Sequence, residues 1–447
     1  MSSPNEIIVA PATLSGGAIA IIRLSGEGSV ELCSQVFRSA KGSLNTAATH
    51  TLHYGEIVDD DKVVDDVLIS VFRNPHSYTG EESVEISCHG SHYIMQEIIA
   101  LLLKKGARPA EAGEFTTRAY LAGRMDLSQA EAVADMIAST SKAQHIMAST
   151  QMRGGYSSRL AELREQLVTL AALLELELDF SEEEVEFADR TQLKQLAKSL
   201  ISETETLSRS FAVGNAIKQG VHVAIVGEPN VGKSTLLNCL LEEERAMVSD
   251  IAGTTRDLIE EEIILDGITF RFIDTAGVHA TSDKLELMGI ERTHSAIERA
   301  QIVIHLTDAC TGDNPLFIND LRDDQTVIEV ANKIDTIQSL ERKEGVIYIS
   351  AKQNEGIEEL KAALRAQVDT SKLYAGAPIV SSIRHYNLLR QALQALQATQ
   401  NGLETDLETD LLCQEVREVL HHIGAITGAI TTNEILGEIF SKFCIGK

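Results

Sequence analysis

Residues 227–234 read Gly227-Glu228-Pro229-Asn230-Val231-Gly232-Lys233-Ser234, a spacing suited to wrapping a phosphate chain. At a strand-to-helix turn, main-chain N–H donors converge on phosphate oxygens and glycine lets the backbone come close. Lys233 would reach the outer phosphates and Ser234 would ligate Mg²⁺. Alone, the pattern also fits a Gly-rich turn with an unrelated lysine. Three later segments decide between these readings. Asp274-Thr275-Ala276-Gly277 puts an acid where it can hold the metal through water, and a glycine N–H where it can meet the γ-phosphate. Asn332-Lys333-Ile334-Asp335 offers a carboxylate that accepts two hydrogen bonds from the guanine N1–H and 2-amino group, a pair adenine lacks. Ser350-Ala351-Lys352 suits a backbone contact to the guanine O6. Four such segments in order, each at the end of an apolar run, imply a GTP site. Its members are Asn230, Val231, Gly232, Lys233, Ser234, Thr235, Asp274, Thr275, Ala276, Gly277, Asn332, Lys333, Asp335, Ser350, Ala351 and Lys352, with the switch residues below.

Hydrolysis needs a positioned water and a counter-charge. Ser249-Asp250-Ile251-Ala252-Gly253-Thr254-Thr255 occupies the place of a first switch, where Thr255 would join Ser234 on Mg²⁺. Val278 follows Gly277, where many small GTPases carry a water-orienting glutamine, and valine cannot serve. Glu286 is the nearby carboxylate that could act through a water, and it reads equally as a helix-surface glutamate. No arginine is placed by motif to stabilise transition-state charge, so Asn230 is expected to help hold a monovalent cation between the phosphate loop and the first switch. Replacing K⁺ by Na⁺ without loss of hydrolysis would rule that out.

A second constellation lies near the N-terminus. Gly-rich residues 14–17 precede a strand ending near Arg23, and the turn 74–82 precedes a strand carrying Glu85. Such a pair could hold a ligand with both acidic and amine-like edges, although an ordinary surface ion pair explains it more simply. Cys444 stands three residues from the end, where a reactive thiol and a structural one are equally compatible with the chemistry.

The elements that must position these groups follow from periodicity. Strands are predicted at 6–11, 18–24, 52–58, 67–72 and 84–88, with helices at 28–37 and 92–103, giving an α+β domain. Long helices follow at 128–148, 157–178 and 191–211, the first opened by a capping box of Ser128 and Glu131, and an acidic connector spans 179–186. Strand–helix alternation then calls for a mostly parallel sheet covered on both faces. Helices return at 381–403, 407–430 and 432–440, and their apolar faces need the earlier helices as partners. The expected fold is α/β: a P-loop GTPase domain (215–372) inserted in an all-α helical domain (119–214 and 373–447), after an N-terminal α+β domain (1–118).

The chain has 447 residues, 44% of them hydrophobic, enough for several cores, and no apolar run long enough to span a membrane. Its beginning lacks signal-peptide character, so a cytoplasmic location is expected. Six scattered cysteines fit reduced thiols better than a disulfide frame or a zinc site. A net charge of −27 argues against a broad nucleic-acid surface; such a partner must meet a local basic patch or arrive with a second protein.

Several segments together closely resemble the MnmE (TrmE) family of tRNA-modification GTPases. They are Ser77-Tyr78-Thr79-Gly80-Glu81-Glu82, Val84-Glu85-Ile86, Asp126-Leu127-Ser128-Gln129-Ala130-Glu131-Ala132, the phosphate loop, Gly253-Thr254-Thr255-Arg256-Asp257 and the ending Cys444-Ile445-Gly446-Lys447. The resemblance covers the whole chain. It implies an N-terminal domain that binds 5-formyl- or 5,10-methylene-tetrahydrofolate through Arg23, Glu85, Arg124 and Lys447 and that mediates homodimerisation. It also implies K⁺ bound by Asn230, Ser249, Ile251 and Thr254, Mg²⁺ by Ser234 and Thr255, Glu286 as the water-positioning residue and Cys444 as a participating thiol. The implied activity is potassium-activated GTP hydrolysis coupled to addition of a carboxymethylaminomethyl-type group at C5 of the wobble uridine of certain tRNAs, with the FAD-containing partner MnmG. A non-catalytic GTPase switch or ribosome-assembly factor is the alternative, and it needs neither the terminal thiol nor the folate constellation.

Overall fold

The computed structural model describes residues 6–40, 42–179, 190–245, 260–273, 294–311, 321–322, 325–337, 342–405, 407–441, 443 and 446. They fall into two compact units, one from Met1–Ala134, Gln151–Ala171 and Arg417–Lys447, the other from Asp135–Thr150 and Ala172–Val416.

The first unit is built on a seven-stranded sheet of order β3-β4-β5-β6-β2-β1-β7. Its strands are β1 (Ile8–Pro11), β2 (Ile19–Ser25), β3 (Phe37–Arg38), β4 (Thr51–Asp59), β5 (Lys62–Phe72), β6 (Ser83–His89) and β7 (Arg108–Pro109). All pairings are antiparallel except β1 with β7. Alternation sends Ala20, Ile22 and Leu24 of β2 and Val84, Ile86 and Cys88 of β6 into a core that also takes Val30 and Cys33 of α1 (Ser29–Ser34) and Ile98 and Leu102 of α2 (His92–Lys104). The same alternation turns Arg23 and Glu85 to the other face, directly opposite one another across the strand pair. There α3 (Glu114–Leu121) packs Phe115 with Ile8, Ala10 and Tyr78. The two-residue strands β3 and β7 are too short to carry an alternation signal, which is why periodicity misses them.

Several helix boundaries differ from the sequence reading: the helix expected over 28–37 stops at Ser34, the one expected over 191–211 runs on to Gln219, and two further differences have a local cause in capping. The helix α4 (Leu127–Ala138) is opened by Asp126, and not by Ser128 with Glu131. The Asp126 carboxylate accepts from the Gln129 N–H at 2.8 Å, while Gln129 Oε1 accepts from the Asp126 N–H at 3.0 Å. This is a reciprocal capping box two residues earlier, and Ser128 Oγ merely donates to Asp126. The single helix expected over 128–148 is two, because Ser139-Thr140-Ser141 starts a new cap: Gln144 Oε1 accepts from the Thr140 and Ser141 N–H groups, and α5 (Lys142–Met152) follows. Next comes α6 (Gly155–Asp179). Late in the chain, α13 (Asn433–Ser441) buries Leu436 and Phe440 against Leu127 and Ala130.

In the second unit a six-stranded sheet runs β13-β12-β11-β8-β10-β9. The strands are β8 (Val221–Val226), β9 (Glu260–Leu265), β10 (Ile268–Ile273), β11 (Ile302–Asp308), β12 (Thr326–Asn332) and β13 (Val346–Tyr348), parallel except for the edge pair β9 and β10. One face is covered by α8 (Lys233–Arg245) and α9 (Ile357–Ala366), whose Leu236, Leu240, Leu360 and Leu364 meet Phe270 and Phe272. On the other, Ala296, Ile297 and Ala300 pack on Ala224, Val226 and Val303. Burial on both faces explains the unbroken apolar runs of the central strands.

The chain enters this sheet from α7 (Arg190–Gln219) and, after α10 (Ser371–Tyr374), leaves it into α11 (Ile383–Glu404). These two long helices pack together: Phe211 stacks on Tyr386 with ring centroids 4.4 Å apart, and the Val380 N–H donates to Ser210 Oγ at 3.0 Å. A Cβ on Gly214 would lie 2.1 Å from the Val380 carbonyl oxygen, so only glycine allows the approach. The remaining helix is α12 (Thr409–Thr427). Among the described residues, no helix is long and apolar enough to cross a membrane.

Candidate functional site

Strand β8 ends at Val226 and α8 starts at Lys233, so the Gly-rich sequence is a strand-to-helix turn. Asn230 takes the left-handed conformation at φ 66. A Cβ on Gly227 would fall 2.1 Å from the Leu306 carbonyl oxygen, which is the close backbone approach that this position demands. Lys233 Nζ donates to the carbonyl oxygens of Gly227 at 2.8 Å and Glu228 at 2.9 Å, folding the ammonium over the loop. Burial holds its pKa below the usual lysine value. Ser234 and Thr235, next along α8, are exposed.

The far side of the site hangs on Asn332 at the end of β12, only 3% exposed. Its Nδ2 donates to the Val231 carbonyl at 2.8 Å, and its Oδ1 accepts from the Ala351 N–H at 3.0 Å. One amide therefore ties the phosphate loop to the turn at Ser350, Ala351 and Lys352. Lys333, left-handed at φ 70, donates through Nζ to Asp308 Oδ2 at 2.8 Å. That hydrogen bond holds the Asp308 carboxyl below the usual range, against the upward push of its desolvation. Ser350 Oγ donates to Asp335 Oδ1 at 2.7 Å, which fixes the plane of an exposed carboxylate at the rim. Asp308 is a member of this rim that sequence reasoning missed. The available signal was an acid at the carboxyl end of a strand, where open α/β sheets bind ligands.

In the first unit, Arg23 and Glu85 form a half-buried pair, 17% and 25% exposed, with Nε and a terminal nitrogen of Arg23 at 2.9 and 2.8 Å from the same Glu85 oxygen. The guanidinium carbon lies 5.6 Å from the centroid of the Tyr78 ring and 5.7 Å from that of Phe115. Tyr78 is held by a 2.9 Å hydrogen bond to Thr116. The turn bearing it is tied down by Ser25 Oγ, 2.7 Å from Thr79 Oγ1 and 2.9 Å from Glu81 Oε2. Arg124 is exposed, and its Cγ and Cδ lie 3.5 Å from where a Cβ on Gly80 would stand, against the same turn. At the chain's end, a Cβ on Gly446 would meet the Pro11 carbonyl oxygen at 2.1 Å. Pro11 follows Ala10, the register partner of Arg23.

Ser249, Asp250, Ile251, Ala252, Gly253, Thr254, Thr255, Asp274, Thr275, Ala276, Gly277, Glu286, Cys444, Lys447 and the acidic residues 180–186 lie outside the described residues. Among the described residues, no cluster of three or more His, Cys, Asp or Glu side chains could hold a metal.

The model "MnmE helical domain" matches residues 127–444, and "GTP-binding protein TrmE N-terminus" matches residues 7–124. The chain belongs to the MnmE (TrmE) family of tRNA-modification GTPases. It is 52% identical to the tRNA modification GTPase MnmE of Flavobacterium johnsoniae over 467 aligned positions, covering 99% of each chain. To that of Christiangramia forsetii it is 49% identical, again over 99% of each. As an MnmE family member the chain is a GTP-hydrolysing enzyme.

Proposed function

We propose that this MnmE family member is a potassium-activated GTPase that uses a folate one-carbon unit to build a carboxymethylaminomethyl-type group on C5 of the wobble uridine of tRNA. It would work in the cytoplasm as a homodimer together with an FAD-containing MnmG partner. The observation that carries the folate reading is the Arg23–Glu85 pair, whose guanidinium lies against the Tyr78 and Phe115 rings. A flat heterocycle with donor and acceptor edges needs a carboxylate, a guanidinium and aromatic faces within one reach. Arg124, on the adjoining turn, and Lys447 would complete that ligand's acidic side.

At the nucleotide site, the backbone of Asn230, Val231 and Gly232 with Lys233 would hold the phosphates, and Asp335 would read the guanine edge. Ser234 and Thr255 would hold Mg²⁺, which supplies charge neutralisation between the phosphates. The left-handed, exposed Asn230, with Ser249, Ile251 and Thr254, is the set assigned to K⁺, and Glu286 the residue assigned to orient water. Homodimerisation is supported by the open side of the sheet, where Leu52, Tyr54, Leu68 and Ile19 are 63%, 66%, 41% and 67% exposed and Tyr54 stands opposite Leu68. With a net charge of −27 the chain should bind tRNA weakly alone, so tight salt-sensitive binding without the partner would contradict this reading.

Two measurements test the proposal on the full chain. GTP turnover in KCl should greatly exceed that in NaCl at equal ionic strength, and the difference should vanish in Asn230→Ala and Glu286→Ala. Equal, slow turnover in both salts would remove the cation mechanism. Calorimetric binding of 5-formyl-tetrahydrofolate should be abolished in Arg23→Ala and Glu85→Ala, and unaltered binding in both would remove the folate assignment.

A further inference from the structure

Lys333, inside the segment 332–335, holds a backbone conformation that its side chain disfavours. It lies at φ 70 and ψ 33, in the left-handed region, which costs a residue with a Cβ about tenfold in equilibrium. It also opens the single 3₁₀ turn Ile334–Thr336, which carries Asp335. The dihedrals at Lys333 therefore set the direction in which that turn, and with it the Asp335 carboxylate, leaves the end of β12. Local bonds close the turn: the Lys333 carbonyl accepts from the Thr336 N–H at 3.0 Å and from Thr336 Oγ1 at 2.7 Å. None of them grips the Lys333 side chain.

That grip comes from the neighbouring strand. Asp308 ends β11 in register with Asn332, and the Ala309 N–H donates to the Asn332 carbonyl at 2.9 Å. Asp308 Oδ1 accepts from the Cys310 N–H at 2.9 Å, so the carboxylate is fixed by its own loop, while Oδ2 takes the Lys333 ammonium at 2.8 Å. The side chains are 17% and 36% exposed, which shields this charge-assisted bond from water without burying it. Among the described residues, Lys333 pairs with Asp308 and not with Asp335, two positions on, although that carboxylate is the nearer one in sequence. Asp335 keeps only the Ser350 hydroxyl as a donor to Oδ1, and no cation competes there with the N–H groups of a base.

We infer that Asp308 is a positioning residue for base recognition. By clamping the Lys333 ammonium to the end of β11 it holds Lys333 left-handed and keeps its charge away from Asp335, so that the Asp335 carboxylate is aligned for two hydrogen bonds from the base. The inference rests on the reading of Asp335 as the guanine contact. Asp308 acts through Lys333 and contributes no contact of its own to the nucleotide.

The test uses the full chain as wild type, Asp308→Asn, Lys333→Met, the double variant and Asp335→Ala. Affinities for GDP and for IDP, whose base lacks the 2-amino group, are read by displacement of a fluorescent nucleotide, and KM and kcat for GTP by steady-state turnover. Wild type should prefer GDP to IDP by at least about tenfold, and Asp335→Ala should abolish the preference. Asp308→Asn keeps the shape of the side chain and an acceptor for Cys310. It should weaken GDP about tenfold and IDP about threefold, with KM for GTP raised about tenfold and kcat within about twofold. The double variant should bind GDP within about twofold of Lys333→Met, because the two residues act as one unit. Wild-type affinity in Asp308→Asn would overturn the inference. So would equal weakening of GDP and IDP, the mark of a merely structural loss, or separate losses that multiply in the double variant. Undiminished preference in Asp335→Ala would instead remove the reading of Asp335, and the inference with it, whatever Asp308→Asn does. Lys333→Met must lower the preference as Asp308→Asn does, which keeps the test decisive should Asp308→Asn not fold.

Discussion

Replacing Asn332 by alanine removes a side chain whose amide satisfies two main-chain groups on opposite sides of the nucleotide site, the Val231 carbonyl at 2.8 Å and the Ala351 N–H at 3.0 Å. Asn332 is 3% exposed, so water cannot readily replace either bond. A buried donor or acceptor left without a partner costs about 1–3 kcal/mol, and two of them place the destabilisation of this region at about 2–6 kcal/mol. Bound nucleotide requires the phosphate loop and the Ser350 turn in register together, so GDP affinity should fall by at least about tenfold, or about 1.4 kcal/mol. Asn332→Asp should be no milder, because it keeps an acceptor for Ala351 but turns a carboxylate oxygen toward the Val231 carbonyl. The assay is titration of a fluorescent GDP analogue into the full chain, with thermal denaturation in the presence and absence of GDP. Wild-type affinity and an unshifted melting temperature in Asn332→Ala would refute the idea that this amide joins the two halves of the site.

Asp335→Asn should lower GTP affinity at least about a hundredfold, since it exchanges an acceptor for a donor facing the guanine N1–H, and should favour a xanthine nucleotide whose ring carries the complementary oxygen; unchanged preference in a competition assay would count against the assignment. Burial pushes the thiols of Cys33 up to about 12 and Cys88 up to about 11, whereas Cys310 is exposed. Alkylation at about pH 8 should therefore label Cys310 and spare Cys33 and Cys88 until the chain unfolds, a pattern read by peptide mass mapping. Burial raises the Glu114 carboxyl, but hydrogen bonds from Arg108, the Glu111 N–H and Arg118 outweigh it and hold the group below the usual range. A depressed folded pKa means that its stabilisation is complete above the unfolded value, about 4.3, and is lost as pH falls through the folded value. Glu114→Gln should flatten that part of the acid-denaturation curve, and superimposable curves would show that the carboxylate contributes nothing there.

How much could be read from the sequence depended on whether a residue's partner was close along the chain or distant. The strand-to-helix turn at 227–233 is local, and both its glycines and its flanking apolar runs are visible in order. The sheet in the second unit is buried on both faces, so its strands announce themselves as unbroken β-branched runs. Asn332 carries a recognisable motif, yet its bond to Val231 spans a sequence distance that no pattern reveals. The rings flanking Arg23 were invisible for the same reason: Tyr78 and Phe115 come from a turn and a helix well separated from β2. Capping boxes were misread because Asp126-Leu127-Ser128-Gln129 and Ser128-Gln129-Ala130-Glu131 overlap, and both satisfy the same spacing rule. Only the direction in which Asp126 points decides between them.

The contact between Gly214 and Val380 has a consequence for how the chain tolerates change. To the α7–α11 pair, everything between those two residues is one long loop whose ends are already joined. Closure entropy grows only with the logarithm of loop length, so lengthening or trimming the surface turns of the sheet scarcely weakens the grip of one helix on the other. A nick in that stretch leaves both fragments anchored, each by its own helix. Tolerance to insertion, deletion and cleavage is therefore set by the order of the chain and not by the strength of any single contact within the nucleotide-binding sheet.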